Sequence, residues 1–309
     1  MSTNFIKKFF IIAVTILFVT GNLASAGTVT YDEINPVVEK YVADLPTKKN
    51  YKSRQRPILI QGAMTAEVGT LIKSLKNPVV YWDMHYLFVA GTYKNYPVVI
   101  SRTEIGMENA AAATSLAIKY FNPIAVINQG TAGGYAPNLH LNDIVIGDKS
   151  INCSMYKEEY QAAGEYDITK QTLRGTPAYD KNSKDLTEFN RFSEFNPDEK
   201  LLKIAKRTAA LNPNWNVTVG TIGSANGWNN AVDHINFLRD KYGVDCEEME
   251  TNAAAQICHN AEVPFIGIRV ISDNSVIGES FDLSTALNGQ DFALIFTDRL
   301  IREIKAGRF

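Results

Sequence analysis

The feature of this sequence that most constrains its fold is an alternation. Short apolar stretches rich in β-formers, bounded by Gly or Asn, take turns with segments of helical period along most of the chain. Residues 57–61 (PILIQ) read as a buried strand, and residues 67–75 carry the helical pattern that follows it. Residues 85–93 and 98–102 predict a hairpin turning at Lys94-Asn95. The Ala-rich stretch 107–120 predicts a helix that stops at Asn122-Pro123, because proline disfavours helical backbone in the residue before it. Residues 125–129 predict a strand, 130–134 a glycine-rich turn, and 143–147 another strand. Beyond them come a helix over 197–211, a strand over 217–223 and a helix over 231–241. A segment at 245–250 then leads into a helix over 251–260, a strand over 265–272 and a terminal helix over 292–305. Strands separated by helices specify an α/β domain with a largely internal sheet.

One stretch breaks the rhythm. Residues 153–196 are rich in Tyr, Asn, Lys, Asp and Glu with few consecutive aliphatics, and they read as a surface insertion on the same domain. A chain of 309 residues is within range for one such core, and 45% hydrophobic with 21% charged residues is an ordinary globular balance. The net charge of -2 offers no global attraction for nucleic acid or an anionic membrane, so the partner expected is a small molecule. At the N-terminus, Lys7 and Lys8 precede an apolar run at 9–19, and Ala24-Ser25-Ala26 follows. That order predicts a secretory signal peptide over residues 1–26, a mature chain starting near Gly27 outside the cytoplasm (periplasmic or extracellular), and no lasting membrane anchor. The run is too short and too interrupted by Thr15 and Thr20 for a spanning helix. Cys153, Cys246 and Cys258 lack metal-type spacing and read as buried free thiols. The four histidines are scattered, so no metal site is expected.

Ligands of such sheets bind where the strand-end loops converge. Four of these ends carry unusual residues. Singly, each has a plain explanation: residues 130–134 as a tight turn, Glu67 as a complement to a helix dipole, the charges at 246–250 as a solvated edge, and Asp273 as the start of a turn. Together, QGAMTAEV (61–68), NQGTAGG (128–134), EEMETNAAA (247–255) and FIGIRVISD (265–273) resemble, in order, the motifs of 5'-methylthioadenosine/S-adenosylhomocysteine nucleosidases of the nucleoside phosphorylase family. The resemblance runs from about Ile58 to Leu300, apart from most of the insertion.

What the resemblance implies is a single domain with a twisted central mixed β-sheet flanked by helices, a homodimer, no cofactor, and hydrolysis of an adenine nucleoside at its N-glycosidic bond. Breaking C1'–N9 requires a proton for the departing base, support for a cationic sugar and an activated water, a division of labour that glycosidases give to carboxyl groups. Carried over position by position, Asp273 is the acid and Glu67 activates the water. Glu250 binds the ribose hydroxyls beside Met249. Trp228 stacks on the base, and the Asn229 backbone meets its 6-amino edge. Ile105, Thr131, Ala132, Gly133 and Ser272 complete the substrate contacts. Ser224-Ala225-Asn226 stands where the family shows Ser-Gly-Asp, Trp228 replaces Phe, and Glu104 occupies a usual glycine position. The insertion is closer to an exported or plant storage-type branch.

Two other readings compete. A phosphorylase of the same fold needs arginines around phosphate, whereas Glu67 and Gln129 stand at the corresponding loops and Arg102 is the one basic residue near them. A storage or ligand-binding member would have no need of Glu67, Glu250 and Asp273 together. A dinucleotide-binding dehydrogenase is excluded, because GTAGG lacks the GxGxxG spacing.

Overall fold

Strand β1 (Ile58–Gly62) is buried at every residue because it runs inside a nine-stranded mixed sheet. The computed structural model describes residues 31–178 and 190–309, so the expected signal peptide lies outside the described residues. With strands numbered in chain order, β4 (Tyr96–Arg102) and β5 (Ala125–Gly134) flank β1, both parallel to it. On the β4 side, β3 (Tyr86–Tyr93) and β2 (Lys76–Asp83) extend the sheet antiparallel, β3 and β4 forming the expected hairpin. On the β5 side lie β13 (Phe265–Asp273), β6 (Ile144–Asn152), β11 (Val217–Ser224) and β12 (Val244–Glu248). β12 then turns back onto the far end of β5, pairing Cys246 with Gly134 and Glu247 with Gly133. Five strands thus close on themselves, and their rim holds the candidate site.

Helices cover both faces. Ile58 and Ile60 point to one side, into a core with Leu71 and Ile72 of α2 (Thr65–Ser74) and Phe292, Phe296 and Leu300 of α7 (Thr285–Lys305). Leu59 points to the other, against Ala117 and Phe121 of α3 (Met107–Phe121) and Ala254 and Cys258 of α6 (Thr251–Asn260). This two-sided burial, about 1.5–3 kcal/mol for each large side chain, is why β1 is apolar from Ile58 to Ile60. The first helix, α1 (Tyr31–Ala43), packs on α2, while α4 (Glu199–Ala210) packs on α7. α5 (Val232–Tyr242) ends at Gly243, whose φ of 70° supplies the left-handed cap.

Four differences from the sequence reading have physical causes. Residues 130–134 are not a turn: β5 runs straight through them to Gly134, and none of Gly130, Gly133 and Gly134 has positive φ. α7 begins at Thr285 rather than 292, because buried Gln290 breaks the apolar period. Its Oε1 accepts from Thr70 N at 2.8 Å and its amide donates to Ala66 O at 2.8 Å, tying α7 to α2. β2 and α1 were not expected, since β2 is a partly exposed edge containing Pro78 and α1 contains Pro36. The insertion carries two small hairpins, β7 (Tyr156–Glu158) with β8 (Gln171–Leu173) and β9 (Thr176–Ala178) with β10 (Asn190–Phe192); residues 179–189 lie outside the described ones. It lies on the same domain as expected, with Leu173 N donating to Tyr242 Oη and Lys241 Nζ to Gln171 O. The three cysteines are free and buried, as read from their spacing.

Candidate active site

Where β5, β13 and β12 meet the loops after β1 and β4, a cavity of about 350 Å³ opens. It is lined by every residue singled out above for catalysis or substrate contact: Glu67, Ile105, Thr131, Ala132, Gly133, Trp228, Asn229, Met249, Glu250, Ser272 and Asp273.

Glu67 stands in the first turn of α2 and is only 3% exposed. Its Oε2 accepts from the amides of Ala63 at 2.7 Å and Met64 at 3.0 Å, while Oε1 accepts from Thr131 N at 2.7 Å and Thr131 Oγ1 at 3.0 Å. Four donors fix the carboxylate plane, so Glu67 does far more than complement a helix dipole. The arrangement also explains Gly130: a Cβ there would stand 2.7 Å from Glu67 Oε1. Glycine is needed for close approach of a side chain, not for a turn. The amide and hydroxyl of Thr131 are both engaged with Glu67.

Asp273 is the last residue of β13, still in the strand rather than opening a turn, and its Oδ2 would lie 3.2 Å from a Cβ at Gly133. Burial pushes its carboxyl above the ordinary range, and the Ser272 hydroxyl, donating to Oδ1 at 2.8 Å, pulls the other way. Ala132 O lies 3.2 Å from the same Ser272 Oγ, so the hydroxyl sits between that carbonyl and the acid.

Glu250 accepts from Gly106 N at 2.9 Å through Oε1, with its own chain neighbour Met249 N at 3.3 Å from Oε2. Burial first, then the charges of Glu248 and Glu67, pushes its pKa up to about 8, against the opposing pull of Arg269. Gly106 has a φ of 108°, and Glu104 two residues earlier has a φ of 62°, the left-handed region that favours glycine. Glu104 is held there by Arg102, whose Nε donates to Oε1 at 2.7 Å.

The charges at 246–250 are not a solvated edge. Glu247, Glu248 and Glu250 are all buried. Glu248 pairs with fully buried Arg269 and accepts from Glu250 N at 3.0 Å and Thr251 N at 2.9 Å, fixing the turn that aims Glu250 into the cavity. Sequence reading passed over this pair, although a lone Arg within FIGIRVISD requires a buried counter-charge. It also missed Glu247 and Tyr135 in the cavity wall, and Phe281 at the mouth.

Trp228 is no core tryptophan: it is 62% exposed at the mouth, edge-on to Phe281 with ring centroids 5.2 Å apart. The Asn229 side chain donates to Glu247 Oε2 at 2.6 Å. Asn226 bridges two elements, accepting from Met107 N at 2.9 Å and donating to Glu108 at 2.7 Å.

The cavity is poorly suited to phosphate. Arg102 is occupied by Glu104 and by Thr65 Oγ1 at 3.0 Å, and Gln129 donates inward to Glu67 O at 2.8 Å. Among the described residues, five carboxyl groups and no basic side chain line the space, which gives a phosphate no cationic partner and suits a neutral, hydroxyl-rich ligand whose reaction develops positive charge.

The sequence pattern of the phosphorylase superfamily matches residues 57–302. A 5'-methylthioadenosine/S-adenosylhomocysteine nucleosidase of Bacillus pumilus is 30% identical over 253 residues, spanning 80% of this chain and 98% of the relative. The Neisseria meningitidis nucleosidase of the same description, solved with methylthio-immucillin-A, superposes with a TM-score of 0.63 at 25% identity, covering 79% of this chain and 99% of the other. The Colwellia psychrerythraea nucleosidase, solved with adenine, also gives 0.63 at 25% identity, covering 81% and 97%.

Proposed function

Because the chain belongs to the phosphorylase superfamily, among the 5'-methylthioadenosine/S-adenosylhomocysteine nucleosidases, we propose that it hydrolyses the N-glycosidic bond of an adenine nucleoside of that type and releases adenine. The observation that carries this reading is the convergence of Glu67, Glu250 and Asp273 in one cavity, each buried and each held by hydrogen bonds.

The steps follow from the chemistry of each group. Asp273, whose carboxyl burial raises above the ordinary range, gives its proton to N7 as the C1'–N9 electron pair moves into the base. Glu250 accepts hydrogen bonds from the ribose hydroxyls and faces the cationic sugar. Water attacks C1' and yields its proton to Glu67. Of the four donors on Glu67, the Thr131 hydroxyl alone can rotate, so it is the contact that a water can share. Trp228 stacks on the base at the mouth. The arrangement calls for no cofactor.

Two further points belong to the proposal. The mature chain starts near Gly27 and acts outside the cytoplasm, supported by Lys7-Lys8, the apolar run and Ala24-Ser25-Ala26; N-terminal sequencing of exported protein tests it, and an intact Met1 on membrane-bound protein refutes it. The protein is a homodimer, supported by exposed Trp82, Met84 and Ile105 near the β2–β3 turn and the end of β4, with Ile105 also lining the cavity. Sedimentation tests that, and a monomer at micromolar concentration refutes it.

Activity itself is tested by incubating the protein with 5'-methylthioadenosine and with S-adenosylhomocysteine in phosphate-free buffer. Adenine release is expected; none from either substrate, with folded protein, overturns the assignment.

A further inference from the structure

One carboxyl group in the cavity wall has no part in the hydrolytic steps. Glu247 of β12 is buried, and its carboxylate is spent on three side chains that follow three other strands. Oε2 accepts from the Tyr135 hydroxyl just past β5, and from Asn229 Nδ2 at 2.6 Å in the loop after β11. The Cys153 thiol, just past β6, donates to the same carboxyl group. Burial and the neighbouring Glu247 charge push the Tyr135 and Cys153 pKa values up, so both groups keep their protons and remain donors. What this grip reaches is the loop 226–230, which brings Trp228 to the cavity mouth. Among the described residues, no backbone–backbone hydrogen bond holds 227–230, and a Cβ added at Gly227 would meet nothing within 4 Å. Side chains therefore fix the loop. Asn226 bonds Met107 N and Glu108 at one end, and Asn230 Oδ1 accepts from Ser275 Oγ at 2.9 Å at the other. Those contacts are exposed, where water competes for the same groups, whereas Asn229 turns inward to a buried carboxylate.

Resting on the reading of this cavity as an adenine nucleoside site, we infer that Glu247 is a positioning residue that acts through Asn229, locking the 226–230 loop so that Trp228 and the Asn229 main chain meet the base. It touches no reacting atom. Tyr135 and Cys153 hold its carboxylate within the wall, and Asn229 carries its effect to the loop. That effect is preorganisation. A loop correctly placed only about a tenth of the time binds the base about ten-fold more weakly, while the complex, once formed, reacts at an unchanged rate. KM therefore carries the cost of losing Glu247, and kcat does not.

The test measures the calorimetric Kd of free adenine, and kcat and KM for 5'-methylthioadenosine, in wild type, Glu247→Leu, Glu247→Gln, Asn229→Ala and the double variant Glu247→Leu/Asn229→Ala. Glu247→Leu and Asn229→Ala should each weaken adenine and raise KM about ten-fold, the least expected for a lost charge-assisted bond, with kcat within about three-fold of wild type. The double variant should be no worse than either single one, because both remove the same bond. Glu247→Gln, whose amide oxygen still accepts from Asn229, should bind adenine more tightly than Glu247→Leu. Losses that multiply in the double variant overturn the inference, as does a kcat that falls while the adenine Kd holds, or a Gln variant no better than Leu. If Glu247→Leu does not fold, Asn229→Ala decides: wild-type affinity for adenine refutes the anchor. If wild type binds adenine but cleaves no nucleoside, the hydrolase reading fails on its own, and the same Kd comparisons still settle the role of Glu247. A wild type that binds no adenine overturns both.

Discussion

Replacing Gly130 by Ala disturbs the position of Glu67 while leaving every reacting group chemically intact. The added methyl would stand 2.7 Å from Oε1, 3.0 Å from Cδ and 3.2 Å from Oε2 of Glu67, all tighter than an ordinary carbon–oxygen contact. The carboxylate has to move by roughly half an ångström, since C···O separations below about 3.3 Å are repulsive. The Thr131 bonds at 2.7 and 3.0 Å hold the oxygen that must move. Loosening one charge-assisted bond costs about 1.5–3 kcal/mol when it is lost outright, so a stretched pair costs ~1–2 kcal/mol of stability. For a chain of this size that lowers Tm by roughly 2–6 °C. Catalysis should suffer more than stability, because a displacement near 1 Å at a reacting group costs about 100-fold. For half that displacement, adenine release by Gly130→Ala is therefore expected at roughly 10% of wild type, with KM little changed, measured beside a thermal melt. A variant with wild-type kcat would refute the claim that the Glu67–Thr131 geometry sets the rate.

Asp273→Asn keeps the size of the acid but cannot deliver a proton, so kcat should fall by about 10²–10⁴, with much less change in binding of a ground-state analogue. Because burial raises the Asp273 pKa and the protonated form is the active one, kcat should decline as pH rises through that raised value; a rate increasing with pH throughout contradicts the role. Glu250 has an ordinary value of 4.5 and a folded value of about 8, so the folded state holds its proton more tightly. Its contribution to stability is full below 4.5 and is lost as pH rises towards 8. Denaturant melts should show Glu250→Gln gaining on wild type across that interval, and a constant difference rules this out. Trp228→Ala should raise KM roughly 5–100-fold through lost stacking, at ~1–3 kcal/mol per base, and leave Tm unchanged because the ring is 62% exposed. A large fall in Tm would make Trp228 a structural residue instead.

Much of the fold was legible because burial on two faces leaves a plain mark: residues 58–60 and 265–272 read as strands because nearly every position is apolar. What was hidden depended on partners distant in sequence. GTAGG reads locally as a turn, yet it is strand, and its glycines answer to Glu67, Asp273 and Asn274 across 63, 140 and 140 residues. The motif carry-over led to Glu67, Glu250 and Asp273, which the fold brings into one cavity. It did not lead to Glu247, Tyr135 or the Glu248–Arg269 pair, because hydrogen bonds between side chains far apart in sequence leave no periodic trace. Arg269 alone left a signal, as the one charge inside an apolar strand before Asp273.

The central claim is that water, not phosphate, attacks the sugar. Its most direct test is the mass of the sugar product when wild-type protein turns over 5'-methylthioadenosine in excess inorganic phosphate. With Arg102 tied to Glu104 and five carboxyl groups lining the cavity, the free sugar is the product expected, at a rate independent of phosphate. A sugar 1-phosphate formed at a rate that rises with phosphate would contradict the account.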